Sequence, residues 1–389
     1  MIHNSILDTD LYKISMAQAV AQKFPYAQAQ YKFINRQKGS MSFTEEMTNR
    51  LVNQINKMRE FSLSDSEKNW LSLNCPYLTP VFLDFLKGYR YNPDEVFVAR
   101  FGDELDIRIQ GPWYRTIFWE VPLLSLISET YFEFQNVESK EADIQRQWDK
   151  AKRLNQLGIK FADFGTRRRF SFSHHCNVVC CLEDVRNFVG TSNVYLARLY
   201  GTKPIGTQAH EWIMFHGAKY GYREANHMAM KNWVDVFHGN LGVALTDTFT
   251  SDDFFRSFTS KYAKLFDGVR HDSGDPKVFA DRVVDHYKRL GIDPKAKTIV
   301  FSDGLNVEKA EELHAYCSGR IRSSFGIGTN FSNDIDGVTP LNIVIKMTQC
   351  KPYGASNWLP VVKLSDDVGK HTGLEQEIDL CKKTLGIGE

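Results

Sequence analysis

The chain has 389 residues, more than the roughly 250 to 300 at which one hydrophobic core stops growing, so two domains are expected. Its 42% hydrophobic and 24% charged residues are ordinary for a globular protein. With 48 Lys and Arg against 47 Asp and Glu the net charge is +1, which excludes bulk attraction to nucleic acid or an anionic membrane and leaves any anion to a local site.

The opening MIHNSILDTD has no basic region followed by an apolar core, so no export signal is expected. Residues 10–24 show helical spacing, residues 28–34 alternate as a strand, and residues 43–87 read as several helices broken at Pro76 and Pro80. Residues 95–109 form a hairpin turning at Gly102 and Asp103. A helical stretch over 116–157 then leads into the second domain. It contains the most apolar run, VPLLSLIS (121–128), far shorter than the roughly 20 residues of a membrane span. Seven scattered cysteines make no disulfide framework, which points to a reducing cytoplasm.

From residue 163 the pattern becomes regular. Apolar, β-like runs at 187–190, 204–207, 242–247, 268–271, 298–302 and 321–326 alternate with amphipathic helices such as 252–266 and 276–290. Strand followed by helix, repeated about seven times, predicts a parallel sheet closing as a (β/α) barrel. Strands at 342–347 and 360–364 return to the first domain. The expected division is an N-terminal α/β domain, 1–137, joined by strands from 341–389, and a catalytic barrel, 138–340.

Six polar segments end the barrel strands: DFGTRRR (163–169), GTSN (190–193), GTQAH (206–210), VRHDSGD (269–275), VFSDGL (300–305) and FGIGTN (325–330). Barrel chemistry sits at the carboxyl ends of strands, so these segments form one rim. Small residues let the backbone approach an anion, arginines neutralise it, and aspartates hold a metal or hydroxyls, a mixture suited to a phosphorylated sugar.

Each segment also has a plainer reading. Arg167, Arg168 and Arg169 are phosphate ligands or a solvated basic turn; if the segment is extended, two of the three face one side. Ser302, Asp303 and Gly304 with Gly326, Gly328 and Thr329 form a phosphate cup or two ordinary turns. Asp275, before Pro276, is part of the site or a helix cap. His210 is a base, a ligand, a phosphoryl acceptor or a structural histidine. His174, His175, Cys176, Cys180 and Cys181 lack metal-ligand spacing, and the run VVCCLEDV reads as a buried helix face, so no protein-held metal is assigned.

Taken together, DTDLYK (8–13), DFGTRRRF, GTSN, GTQAHEW, VRHDSGD, FSDGL and FGIGT resemble the nicotinate phosphoribosyltransferase family over nearly the whole chain. The resemblance implies a type II phosphoribosyltransferase fold, an irregular α/β barrel with an N-terminal α/β domain. It implies transfer of phosphoribose from phosphoribosyl pyrophosphate to nicotinate, coupled to ATP hydrolysis, with Mg²⁺ accompanying pyrophosphate or ATP. His210 matches the histidine that is autophosphorylated from ATP. Tyr12 and Phe164 match the aromatics that sandwich the pyridine ring, the tyrosine coming from a neighbouring subunit in relatives, which favours a homodimer with a shared site. Arg167, Ser192, Thr207 and Arg270 match positions around nicotinate. Arg169, Asp272, Ser302, Asp303, Gly304, Gly328 and Thr329 match the phosphoribosyl pyrophosphate positions, and His210, Arg270 and Asp272 carry the chemistry.

Relatives selective for nicotinamide carry an aspartate where Ser192 stands. A carboxylate there repels nicotinate, whereas a serine can donate to it. The alternatives are therefore a nicotinamide phosphoribosyltransferase, or a barrel lyase or isomerase acting on a sugar phosphate. The latter needs a Schiff-base lysine or a paired acid and base, and the strand-end segments offer no such lysine.

Overall fold

A computed structural model describes residues 3–37, 39, 41–367 and 369–387. Among them are eleven strands. Three lie early in the chain: β1 (Gln28–Asn35), β2 (Val96–Phe101) and β3 (Glu104–Pro112). Six short ones follow: β4 (Phe161–Asp163), β5 (Phe188–Thr191), β6 (Val243–Leu245), β7 (Gly268–His271), β8 (Thr298–Phe301) and β9 (Arg322–Ile327). The last two are β10 (Ile343–Lys351) and β11 (Leu359–Pro360).

The first sheet is antiparallel, in the order β11-β10-β1-β3-β2. β1 is its middle strand, with Ala29, Tyr31 and Phe33 buried on one face, as the alternation in its sequence requires. Its partner β10 pairs with it from Gln28 opposite Lys351 to Asn35 opposite Ile343. The C-terminal segment therefore completes the N-terminal sheet.

The second sheet is parallel, in the order β5-β4-β9-β8-β7-β6, with helices between its strands. β4 is buried along its whole length, as expected for a strand covered on both faces. Register aligns the carboxyl ends: Asp163 lies opposite Thr191 on one side and Ile327 on the other, while His271 lies opposite Phe301. The next residues on these strands, Phe164, Ser192, Gly328, Asp272 and Ser302, are thereby brought to one rim.

The expected strand at 204–207 is reduced to a single parallel bridge between Thr191 and Pro204. Proline has no N–H to donate to a ladder, and the following Gly206 presses against the N-terminal helix, where a Cβ would come 3.0 Å from the Tyr12 nitrogen. This is where the barrel is irregular. The expected helix over 116–157 is three, Trp113–Thr116, Glu120–Glu133 and Glu141–Gln156, with a reversal in which Asn136 takes a positive φ of 54°. Residues 252–266 likewise divide into Ser251–Ser257 and Ser260–Leu265, because Phe258 turns into the core and Thr259 starts the second helix. Of the expected strand at 360–364 only Pro360 lies in β11. Among the described residues, no helix is long and apolar enough to cross a membrane.

Candidate active site

A cavity of about 690 Å³ lies between the barrel's carboxyl-terminal rim and the inner face of the first sheet. Tyr12, Phe164, Arg167, Ser192, Thr207, His210, Arg270, Asp272, Ser302, Asp303, Gly304, Gly328 and Thr329 all line it. All six polar segments thus meet there, the last, 325–330, through Gly328 and Thr329. Tyr31, Arg36 and Lys346 cover the opposite side from β1, the loop after it and β10.

One end is built around His210, the first residue of the helix His210–Tyr220. Its Nε2 lies 3.1 Å from Asp272 Oδ2 and its Nδ1 2.9 Å from Thr248 Oγ1. Since ionised Asp272 can only accept, Nε2 carries the proton and Nδ1 accepts from the threonine. Asp247 Oδ1 sits 3.8 Å from the same Nε2. Its other oxygen accepts from Ser273 Oγ at 2.6 Å and lies 3.3 Å from Lys363 Nζ. Burial, reinforced by Lys363, holds His210 below its ordinary pKa against the pull of Asp247 and Asp272, so the imidazole is neutral at pH 7. Asp272 stays well below the usual carboxylate range: burial opposes its charge, but Arg270, 3.2 Å away, and His210 outweigh it. Ser302 Oγ donates to Asp272 at 2.7 Å.

The residues at this end also fit a hard divalent cation. Ligand atoms of His210, Asp247 and Asp272 lie within 4.8 Å of one another. Asp247 Oδ1 is buried without a hydrogen-bond partner, the state of an oxygen awaiting a ligand. Two carboxylates suit Mg²⁺ better than the imidazole does.

The other end is aromatic and basic. Phe164 follows β4 and its ring covers Gly326, where a Cβ would come 2.5 Å from the ring carbons. Tyr12 stands on the N-terminal helix Leu11–Lys23. Arg167 lies 3.7 Å from Glu120, which is also ion-paired to the fully buried Lys13. Lys13 in turn pairs with Glu211, which accepts from Tyr31 Oη at 2.6 Å. Lys346 is pushed down to about 8 by burial and by Arg36 and Lys363, a further sign that cations crowd this cavity.

Several expectations change. The arginine triplet is not extended: Thr166–Arg168 is a 3₁₀ turn, which sends Arg167 and Arg168 to the cavity and Arg169 away from it. Arg169 is fully buried, donating to Asp8 at 2.6 and 2.8 Å and to Glu129 at 2.7 Å, and it does not line the cavity where a phosphate would lie. Tyr12 lines the cavity formed by its own chain. Ser192 gives its single hydroxyl proton to Asp10 Oδ1 at 2.7 Å and does not face the cavity as a free donor. Asp275 takes the plainer of its two readings: it caps the helix Pro276–Arg289, accepting from Lys277 and Val278 nitrogens. Residues 178–183 of the run VVCCLEDV lie on the helix Phe172–Glu183 with Val178, Val179 and Leu182 buried, but Cys180 is exposed.

Sequence reasoning missed Asp10, Glu120, Asp247, Thr248, Lys346 and Lys363. Asp247 carried a signal, since it follows the apolar run 242–246 as Asp272 follows 268–271. Lys346 and Lys363 carried none, because they belong to the first sheet and the segment after it.

Two family models match this chain, the nicotinate phosphoribosyltransferase N-terminal domain over residues 7–128 and the nicotinate phosphoribosyltransferase family over 159–389. The nicotinate phosphoribosyltransferase of Chromohalobacter salexigens is 51% identical over 99% of this chain and 98% of its own. That of Desulforapulum autotrophicum is 52% identical over 99% of both. The crystal structure of nicotinate phosphoribosyltransferase from Porphyromonas gingivalis superposes with a TM-score of 0.97 at 45% identity, covering 99% of this chain and 100% of that one. The fold, the rim and these likenesses agree from end to end: the chain belongs to the nicotinate phosphoribosyltransferase family.

Proposed function

We propose that this enzyme joins nicotinate to the phosphoribosyl group of phosphoribosyl pyrophosphate, releasing pyrophosphate, in the biosynthesis of NAD, and that ATP hydrolysis is coupled to the transfer through phosphorylation of His210. One observation carries the reading: a single cavity has an aromatic, arginine-bearing end and a His–Asp–Arg end, the two halves that a pyridine carboxylate and a pyrophosphorylated ribose require.

The pyridine nitrogen brings its own lone pair to the anomeric carbon, so no general base is needed, and the barrier lies in expelling pyrophosphate. Phe164 and Tyr12 hold the ring and Arg167 holds its carboxylate. Arg270 and Lys363 reduce the charge of the departing pyrophosphate. Asp247 and Asp272 would hold the Mg²⁺ that travels with it, which supplies further charge neutralisation when bound. The neutral His210 imidazole is a competent phosphoryl acceptor, and Asp272 stabilises the proton on its other nitrogen as charge develops.

The test is product formation from phosphoribosyl pyrophosphate and Mg²⁺ with nicotinate, nicotinamide or quinolinate, each with and without ATP. Nicotinate mononucleotide from nicotinate, increased by ATP, is the expected result. Turnover of nicotinamide in its place would refute the substrate, and indifference to ATP would refute the coupling.

A further inference from the structure

Asp10 occupies the position from which a residue ordinarily caps the helix Leu11–Lys23, yet its side chain makes no capping bond. It lines the cavity instead, almost wholly buried, and accepts the Ser192 hydroxyl at 2.7 Å. The backbone fixes it there, through a bridge between Asp10 and Asn193 and a 2.8 Å bond from Leu11 nitrogen to Ser192 oxygen. The groups facing it come from every element packed around it: Arg167 and the Thr166 hydroxyl from the turn after β4, Asp163 from β4 and Tyr12 from its own helix. Glu120 is the carboxylate ion-paired with Arg167, at 3.7 Å.

Nicotinate drawn to Arg167 therefore brings a further carboxylate into a cavity that Asp10 and Glu120 already line. The buried cation nearest Glu120, Lys13, is already shared between Glu120 and Glu211. A carboxylate brought beside one that is buried favours a proton on one of the two. Glu120 is bound to two cations, so the proton falls on Asp10, whose direct hydrogen bond is from a neutral hydroxyl. Burial already raises Asp10 above the ordinary carboxylate range despite Arg167.

Resting on the nicotinate reading above, we propose that Asp10 takes up one proton from solvent when nicotinate binds, and that its neutral carboxyl is the donor that favours the acid over the amide. Neutral Asp10 donates to the nicotinate carboxylate. Ionised Asp10 repels it and accepts from an amide N–H, so selectivity for the acid falls as pH rises.

The experiment measures the nicotinate KM of the full-length enzyme and of Asp10→Asn from neutral to alkaline pH, with phosphoribosyl pyrophosphate, Mg²⁺ and ATP saturating. Above the Asp10 pKa the wild-type KM should rise by up to about tenfold per pH unit while kcat stays flat, the slope of a single proton. In Asp10→Asn, which donates at every pH, that slope should vanish. Calorimetry of nicotinate binding to the wild type in buffers of different ionisation heat gives an independent reading that needs no variant, with uptake of up to one proton per site expected. Equal slopes in both proteins, or no proton uptake by the wild type, would overturn the proposal while leaving nicotinate as substrate. Failure of the wild type to turn over nicotinate at any pH would overturn both.

Discussion

Replacing Arg169 with methionine separates the structural placement of this residue from the phosphate contact expected of it. The guanidinium makes three charge-assisted bonds, two to Asp8 and one to Glu129, and none of the three side chains is more than 8% exposed. Methionine matches much of its volume but leaves two carboxylates without their shared cation, with His3 at 2.6 Å and Asn193 Nδ2 at 2.7 Å still on Asp8 and the Phe172 nitrogen at 2.7 Å still on Glu129. Breaking a buried ion network from one side costs about 3–5 kcal/mol. An unfolding entropy of about 2.1 cal/mol/K per residue over a chain of this length converts about 4 kcal/mol into a fall in Tm of about 5 °C, if the chain unfolds as one unit. The sign of the pH dependence follows from Asp8, which Arg169 and His3 hold well below the ordinary carboxylate range although burial opposes its charge. Its contribution is present above the unfolded value of about 3.9 and is lost as pH falls through the folded one, so the gap between wild type and variant should close in acid. Calorimetric unfolding at neutral and acidic pH measures this, with the double variant Arg169→Met and Asp8→Asn expected to recover part of the loss. An unchanged Tm accompanied by a raised KM for phosphoribosyl pyrophosphate would refute the reasoning and return Arg169 to the substrate.

His210→Ala should abolish stimulation by ATP while leaving slow, ATP-independent transfer, and ³²P incorporation from γ-labelled ATP should disappear with it; in the wild type, incorporation should stay level through neutrality and decline only below the ordinary histidine range, because burial and Lys363 lower this pKa. Ser192→Asp sets a second carboxylate against Asp10 and should raise the nicotinate KM by about tenfold or more, a loss readable in steady-state assays with the acid and the amide in parallel. Gly326→Ala would drive a methyl group to within 2.5 Å of the Phe164 ring, so the ring must lift. Loss of one stacking contact, worth about 0.5–1.5 kcal/mol, predicts a nicotinate KM about threefold to tenfold higher with Tm little changed.

Much of this protein was legible before folding was considered. Period-two alternation marked β1 and the hairpin of β2 and β3, and the recurrence of apolar run, polar end and amphipathic helix marked the barrel. Because parallel strands share a direction, the residues after them must share a rim, and the segments that carry Phe164, Asp272 and Ser302 were found together for that reason. Local chemistry offered the cap as one of two readings of Asp275, and the structure shows it accepting from the Lys277 and Val278 nitrogens.

What the sequence did not contain was any relation between distant segments. The direction of Arg169 depends on whether residues 166–168 are extended or turned, and that is set by Asp8 and Glu129, which lie 161 and 40 residues away in sequence. Ser192 read alone is a donor; only the packing of the N-terminal helix against the loop after β5 shows that its proton is already given to Asp10. Lys346 and Lys363 enter the site because β10 crosses the molecule to pair with β1, a choice made by two hydrophobic faces more than 300 residues apart. Periodicity is a property of neighbours in the chain, and it determined the elements and their ends. Charge compensation and hydrogen-bond satisfaction are properties of neighbours in space, and they decided which of those residues face the cavity.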